Sequence, residues 1–151
     1  MLTILLSAPY MIPFLDRFQP YFEKYSLDLI VPEVHERLNK NQMLDLAGKF
    51  DATICGDDQY DAEVIAACSQ RLKVISKWGT GIDSIDQGAA EKSGIKVFRT
   101  PNAFTTPVAD TVMGYILAYA RRQPWMDREM KEAKRLLEIP ISVYNRKRDK
   151  K

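Results

Sequence analysis

The chain has 151 residues, 46% of them hydrophobic and 28% charged, with a net charge of +2, which is the balance of a globular domain and not of a disordered or fibrous chain. That length suits one domain able to bury most of its apolar surface, with no second complete domain expected. No apolar run nears bilayer-spanning length and Met1-Leu2-Thr3-Ile4-Leu5-Leu6 lacks the start of a signal peptide, so no membrane is expected and the cytoplasm is the default.

The charge is unevenly spread. Arg146-Lys147-Arg148-Asp149-Lys150-Lys151 carries five bases and one acid, leaving 17 basic against 19 acidic residues elsewhere. A slightly acidic body argues against a nucleic-acid surface, and the basic end reads as a solvated tail. Cys55 and Cys68 have neither C-x-x-C spacing nor a nearby histidine, which points to reduced, packed thiols and no metal site.

Leu2 to Ala8 is a short apolar run stopped by Pro9, as in a strand buried on both faces. Pro13 is placed to open a helix, along which Phe14, Phe18, Tyr21, Phe22 and Tyr25 recur at helical spacing and are expected in the core. Leu27 to Pro32 is the next strand. Asn41 is expected to cap a helix through Met43, Leu44 and Leu46 that stops at Gly48. The only histidine, His35, neighbours Glu36, but adjacent residues on a helix do not face each other, so a surface or loop position is expected.

Asp51 to Gly56 forms a third strand, with Asp57 and Asp58 beyond it as expected helix caps. Asp61 to Cys68 reads as a helix, Lys73 to Trp78 as a fourth strand, Asp86 to Gly94 as a helix, and Ile95 to Phe98 as a fifth strand. This alternation predicts a flavodoxin-like, parallel five-stranded α/β sheet flanked by helices, with the loops after Ala8, Gly56 and Trp78 on one rim.

The turn Trp78-Gly79-Thr80-Gly81-Ile82 has two readings. Two glycines remove two Cβ atoms, so the amides of residues 79 to 82 can point outward together and hold an anion such as a carboxylate or phosphate. Alternatively, the glycines serve only a turn that needs positive φ. Lys77 and Arg99 are bases that could favour a phosphorylated acid, although a base beside a strand is more often solvated.

From Thr105 the chain becomes a long helix, with Thr106 as expected cap, Pro107 at the first helical position and Asp110 in the first turn. Val108, Val112, Met113, Tyr115, Ile116, Leu117, Tyr119 and Ala120 leave it apolar nearly all round, so residues 107–122 are expected to meet a second domain or subunit. Residues Trp125 to Arg135 are charged and helix-prone, and Ile139 to Tyr144 could form an edge strand.

Residues 73–122 resemble the catalytic, substrate-binding domain of the NAD-dependent D-2-hydroxyacid dehydrogenases, the family that includes D-3-phosphoglycerate dehydrogenase. The resemblance is carried by Lys77-Trp78-Gly79-Thr80-Gly81-Ile82-Asp83-Ser84-Ile85-Asp86, Ala89-Ala90, Gly94-Ile95-Lys96-Val97, Thr100-Pro101-Asn102 and Val108-Ala109-Asp110. It implies that Gly79, Thr80, Gly81 and Ile82 bind the carboxylate of a small 2-hydroxy or 2-keto acid, and that Thr80, with Thr111 as a weaker second, lies by the cofactor NAD. It also implies that the long helix crosses toward a cofactor domain.

The pattern departs from the family after Gly114, where no further glycine occurs. The G-x-G-x-x-G fingerprint is absent, and so are the family's catalytic arginine, glutamate and histidine, since His35 precedes the matching region. The expectation is a substrate-binding domain (residues 1–104), a long inter-domain or dimerisation helix (105–135) and a short tail (136–151), truncated and without catalytic residues of its own. The second reading is a non-catalytic module that binds a metabolite or oligomerises.

Overall fold

The computed structural model describes residues 1–137. It divides into two compact units, Met1–Ala103 and a second that begins at Phe104. In the first unit β1 (Leu2–Leu6), α1 (Gln19–Lys24), β2 (Leu27–Ile30), α2 (Lys40–Asp45), β3 (Ala52–Cys55), α3 (Ala62–Cys68), β4 (Val74–Lys77), α4 (Gln87–Lys92) and β5 (Lys96–Phe98) follow in turn. The strands pair in parallel in the order β2-β1-β3-β4-β5, which is the flavodoxin-like order.

Consecutive residues of a strand face opposite sides of the sheet, and β1 divides its two leucines accordingly. Leu5 joins a core with Met43, Phe50, Val64, Ile65 and Ile75. Leu6 joins a separate cluster with Ala8, Met11 and Phe22. The continuous apolar sequence of β1 therefore follows from its being covered on both faces. Two helices on the larger core are started by side-chain caps: Asp61 accepts from the Val64 amide and Asp86 from that of Ala89, each at 2.9 Å.

Three local expectations are corrected. The stretch after Pro13 is not one helix but a 3₁₀ turn (Ile12–Arg17) and a separate α1, with Phe14 outside helical φ/ψ and Pro20 at the start of α1. The change in winding shifts the phase of the apolar residues, so Phe22 alone of the five aromatics is buried, Phe18 is half-buried, and Phe14, Tyr21 and Tyr25 are exposed. Asn39, not Asn41, caps α2, in a reciprocal capping box with Gln42. Asp57 and Asp58 cap nothing. Six residues separate β3 from α3, and Asp61, next to the helix, takes that role.

The second unit contains α5 (Thr105–Ala120) and α6 (Gln123–Leu137). The chain turns between them at Arg122, whose φ of +54° is left-handed, and the Tyr119 and Trp125 rings meet edge to face at 5.4 Å. Phe104 occupies the cap position of α5, so Thr106 is already helical and Pro107 is the third residue. Proline is tolerated there because the first-turn amides have no partner within the helix. No residue of α5 is buried, and Val108, Val112, Met113, Ile116 and Leu117 are all exposed. The expected edge strand Ile139–Tyr144 and the basic cluster lie outside the described residues. Among the described residues no helix is long and apolar enough to cross a membrane.

Candidate functional site

Chain reversal in this strand order falls between β1 and β3, where sheets of this kind place a ligand crevice at the carboxyl ends. Here the loops that follow the two strands lie close together. The Ser7 and Ala8 amides both donate to Ile54 O, at 3.0 and 3.2 Å, and a Cβ on Gly56 would lie 2.8 Å from Pro9 Cδ. Beneath this contact sits a buried polar cluster. Ser7 Oγ donates to Asp58 Oδ2 at 2.5 Å, and the Leu38 amide donates to Oδ1 at 2.6 Å. Burial pushes the Asp58 carboxyl above its ordinary range, opposed by those two hydrogen bonds. Lys77, with a side chain only 4% exposed, donates to Gly56 O at 2.5 Å and pairs with Asp57. Its ammonium is therefore occupied within the fold.

The open part of the rim is the loop after β4. Gly79 has φ +156° and its amide donates to Lys77 O at 2.9 Å, a tight turn that an L side chain rarely adopts. Positive φ thus accounts for Gly79. It does not account for Gly81, whose φ is ordinary and whose Cβ would meet only Asp83 Oδ2, at 3.5 Å.

The loop is pinned at both ends. At its start, the Thr100 amide donates to Gly79 O at 2.9 Å, Thr80 Oγ1 donates to Thr100 O at 2.9 Å and Thr100 Oγ1 donates to Lys77 O at 3.3 Å. At its end, the Tyr60 amide donates to Ser84 O and the Asp86 amide to Tyr60 O, each at 2.9 Å. Ile82 packs against the main core and Ile85 is part of it. Between these fastenings the amides of Thr80, Gly81 and Ile82 donate to no acceptor among the described residues, so three adjacent N–H groups remain available on a fixed backbone.

Of the residues singled out in the sequence, Gly79, Thr80, Gly81 and Ile82 share this loop. Thr111 stands on α5 in the second unit, where its hydroxyl donates to Pro107 O at 2.7 Å. His35 is exposed in a loop, 3.7 Å from Glu33. Cys55 and Cys68 are buried and unpaired, with the Cys55 thiol pushed up to about 12 by burial. Thr100 escaped notice as a supporting residue, although the register that sets Ser76 opposite Phe98 brings Trp78 and Thr100 level. Beside the loop a cavity of about 400 Å³ is lined by Asp57, Asp61, Asp83 and Asp86 with Arg37. Among the described residues no group of His, Cys, Asp or Glu could hold a metal ion.

A dinucleotide needs a glycine-rich turn running straight into a helix N-terminus. Gly79-Thr80-Gly81 leads instead into an irregular stretch, with α4 starting only at Gln87, and the hydroxyls of Thr80 and Thr111 both donate to backbone carbonyls.

A flavodoxin-like parallel sheet carries, at the end of β4, a Gly-Thr-Gly loop fastened at both ends. The match over residues 4–143 to the model for the D-isomer specific 2-hydroxyacid dehydrogenase catalytic domain shows that the chain belongs to that family. It is 34% identical over 115 residues to a D-3-phosphoglycerate dehydrogenase of Archaeoglobus fulgidus, covering 76% of this chain and 21% of that one. It is 47% identical over 73 residues to a glyoxylate reductase of Thermofilum pendens, covering 48% of this chain and 21% of that one. The chain thus spans about a fifth of the length of these relatives. In fold it matches the cofactor (NAD+)-bound 3-phosphoglycerate dehydrogenase of Entamoeba histolytica, with a TM-score of 0.66 and 24% identity over 78% of this chain and 38% of that chain.

Proposed function

We propose that this chain is the substrate-binding part of an NAD-dependent D-2-hydroxyacid dehydrogenase, an oxidoreductase acting on the CH–OH group of a 2-hydroxy acid. The observation that carries this reading is the run of three unspent amides at Thr80, Gly81 and Ile82 on a loop fastened at both ends. Donors fixed in advance bind a carboxylate without the cost of ordering the loop. Thr80 Oγ keeps its lone pairs free after donating to Thr100 O and can accept from the substrate hydroxyl.

Oxidation at that carbon also requires a hydride acceptor and a proton acceptor. The family's chemistry supplies the first as NAD, held by a cofactor domain, whether from the same longer protein or another polypeptide. The contribution of this chain is orientation: gripping the carboxylate fixes the C2 hydroxyl or carbonyl relative to the loop. The charge nearby favours an acid without a phosphate group, because Lys77 is engaged by Gly56 and Asp57 and the adjoining cavity presents four carboxylates against the one base Arg37.

Amide-resolved NMR titration of the chain tests this directly. Glyoxylate is expected to shift the Thr80, Gly81 and Ile82 amides more than any others, and 3-phosphoglycerate to bind more weakly. Shifts confined to other residues, or none, reject the carboxylate grip. No turnover is expected from the isolated chain when NADH is added.

A further inference from the structure

The loop after β4 runs between two flanks of opposite character. On one is the cavity that sets the carboxylates of Asp57, Asp61, Asp83 and Asp86 against Arg37. On the other stands Trp78. Side chains alternate along β4, so that Ile75 enters the main core, whereas Trp78, three positions on, meets Phe18, which packs against the second cluster on the opposite face of the sheet. The chain then returns to the main core at Ile82. The indole is held and yet open. Its residue is tied to β3 by the Trp78 amide, which donates to Cys55 O at 2.9 Å, and its ring meets that of Phe18 edge to face, with centroids 6.1 Å apart. Even so, Trp78 is 40% exposed, and packing within the fold accounts for only part of this large side chain.

Residues two apart in a chain are separated by at most about 7 Å at Cα. An indole rooted at residue 78 is therefore within reach of whatever an acid carries on C2 once the amides of residues 80 to 82 hold its carboxylate. We propose that Trp78 selects the substrate by its side chain: it is the apolar wall against which the C2 substituent rests, and the preferred acid carries an aromatic or bulky apolar group there. This inference rests on the carboxylate grip proposed above and adds what the grip does not decide, since every 2-hydroxy acid presents the same carboxylate. A charged, anionic substituent meets the four carboxylates on one flank and finds Lys77 already engaged by Gly56 and Asp57. An apolar substituent instead sheds water against the indole. The ordering cost is small because Phe18 already holds the ring.

NMR titration of the full chain with glycolate and with phenyllactate provides the test, because the two acids share carboxylate and hydroxyl and differ only in the group on C2. Both are expected to shift the amides of residues 80 to 82. Phenyllactate alone is expected to shift the Trp78 indole Nε1–H as well, leaving that of Trp125 in place, and to bind about tenfold more tightly than glycolate. Trp78→Ala is expected to weaken phenyllactate about tenfold and to leave glycolate within about twofold. Trp78→Phe keeps an aromatic wall and is expected to stay within about threefold of the unaltered chain for both acids. Equal affinities in the unaltered chain, an unmoved Trp78 indole signal, or a preference that survives Trp78→Ala would each overturn the proposal and leave the grip intact. Amides unmoved by either acid would remove the grip and this inference together. Should Trp78→Ala fail to fold, the unaltered chain and Trp78→Phe decide the matter through the affinity ratio and the indole signal.

Discussion

Gly56 and Pro9 stand so close that a Cβ on residue 56 would come within 2.8 Å of the proline ring. The carboxyl ends of β1 and β3 are thereby pressed together where sheets of this order usually open. Proline is rigid and cannot yield as a long side chain would. Gly56→Ala is expected to lower stability by about 1–3 kcal/mol through overpacking, and Pro9→Ala in the same chain to recover part of the loss. Urea unfolding of the two variants checks both statements. An innocuous Gly56→Ala would mean that the loops can move apart.

Asp58 is a carboxylate whose folded-state pKa is raised, chiefly by burial. A native state that holds its proton more tightly than the unfolded chain loses stability as pH rises. The cost is absent below the unfolded pKa, near 4, and complete once pH exceeds the raised value. Asp58→Asn keeps an acceptor for the Leu38 amide and carries no charge. Unfolding measured from pH 4 to 8 is expected to show the variant gaining on the parent chain as pH rises. A constant difference would contradict the assignment. Asp51, lowered chiefly by its hydrogen bonds from Arg71, acts in the opposite sense, since its contribution is present above the unfolded pKa and lost as pH falls through the lowered one.

The two glycines of the β4 loop should respond differently. Gly79→Ala enters a backbone region rare for L residues and brings a methyl to 3.3 Å from Lys77 Cε, so a loss of about 1 kcal/mol is expected. Gly81→Ala meets only ordinary contact and is expected to stay within about 0.5 kcal/mol of the parent. Thermal or denaturant melts separate the two. Equal losses would show that the turn needs both glycines, and the case for free amides at 80 to 82 would weaken.

Lys77 supplies a fourth test. Replacing it with Met leaves Gly56 O, an acceptor in a buried setting, without its donor, and about 1–3 kcal/mol of stability is expected to go with it. If Lys77 instead served to recruit phosphate, the substitution would chiefly weaken 3-phosphoglycerate binding and leave the melt unchanged.

The sheet was legible because short β-prone segments, the apolar run Leu2–Leu6 among them, alternate with capped helices, and both signals act within a few residues. The stretch from Pro13 to Tyr25 misled because helical spacing has meaning only along one unbroken helix, and the 3₁₀ winding with Pro20 breaks its phase. Asp57 and Asp58 looked like caps because nothing local reveals Lys77, twenty positions on, or Ser7, fifty-one positions back. The Gly-Thr-Gly loop could be located from sequence. Its fastening by Thr100 depends on the pairing of β4 with β5, a long-range relation that no short window contains.

The three hydrogen bonds of Thr100 give the chain a mechanical linkage. Residue 100 meets residues 77, 79 and 80, twenty to twenty-three positions back along the chain. Fastening at Thr100 removes much of the conformational freedom that the loop after β4 would otherwise hold, so its amides stand in place before anything arrives.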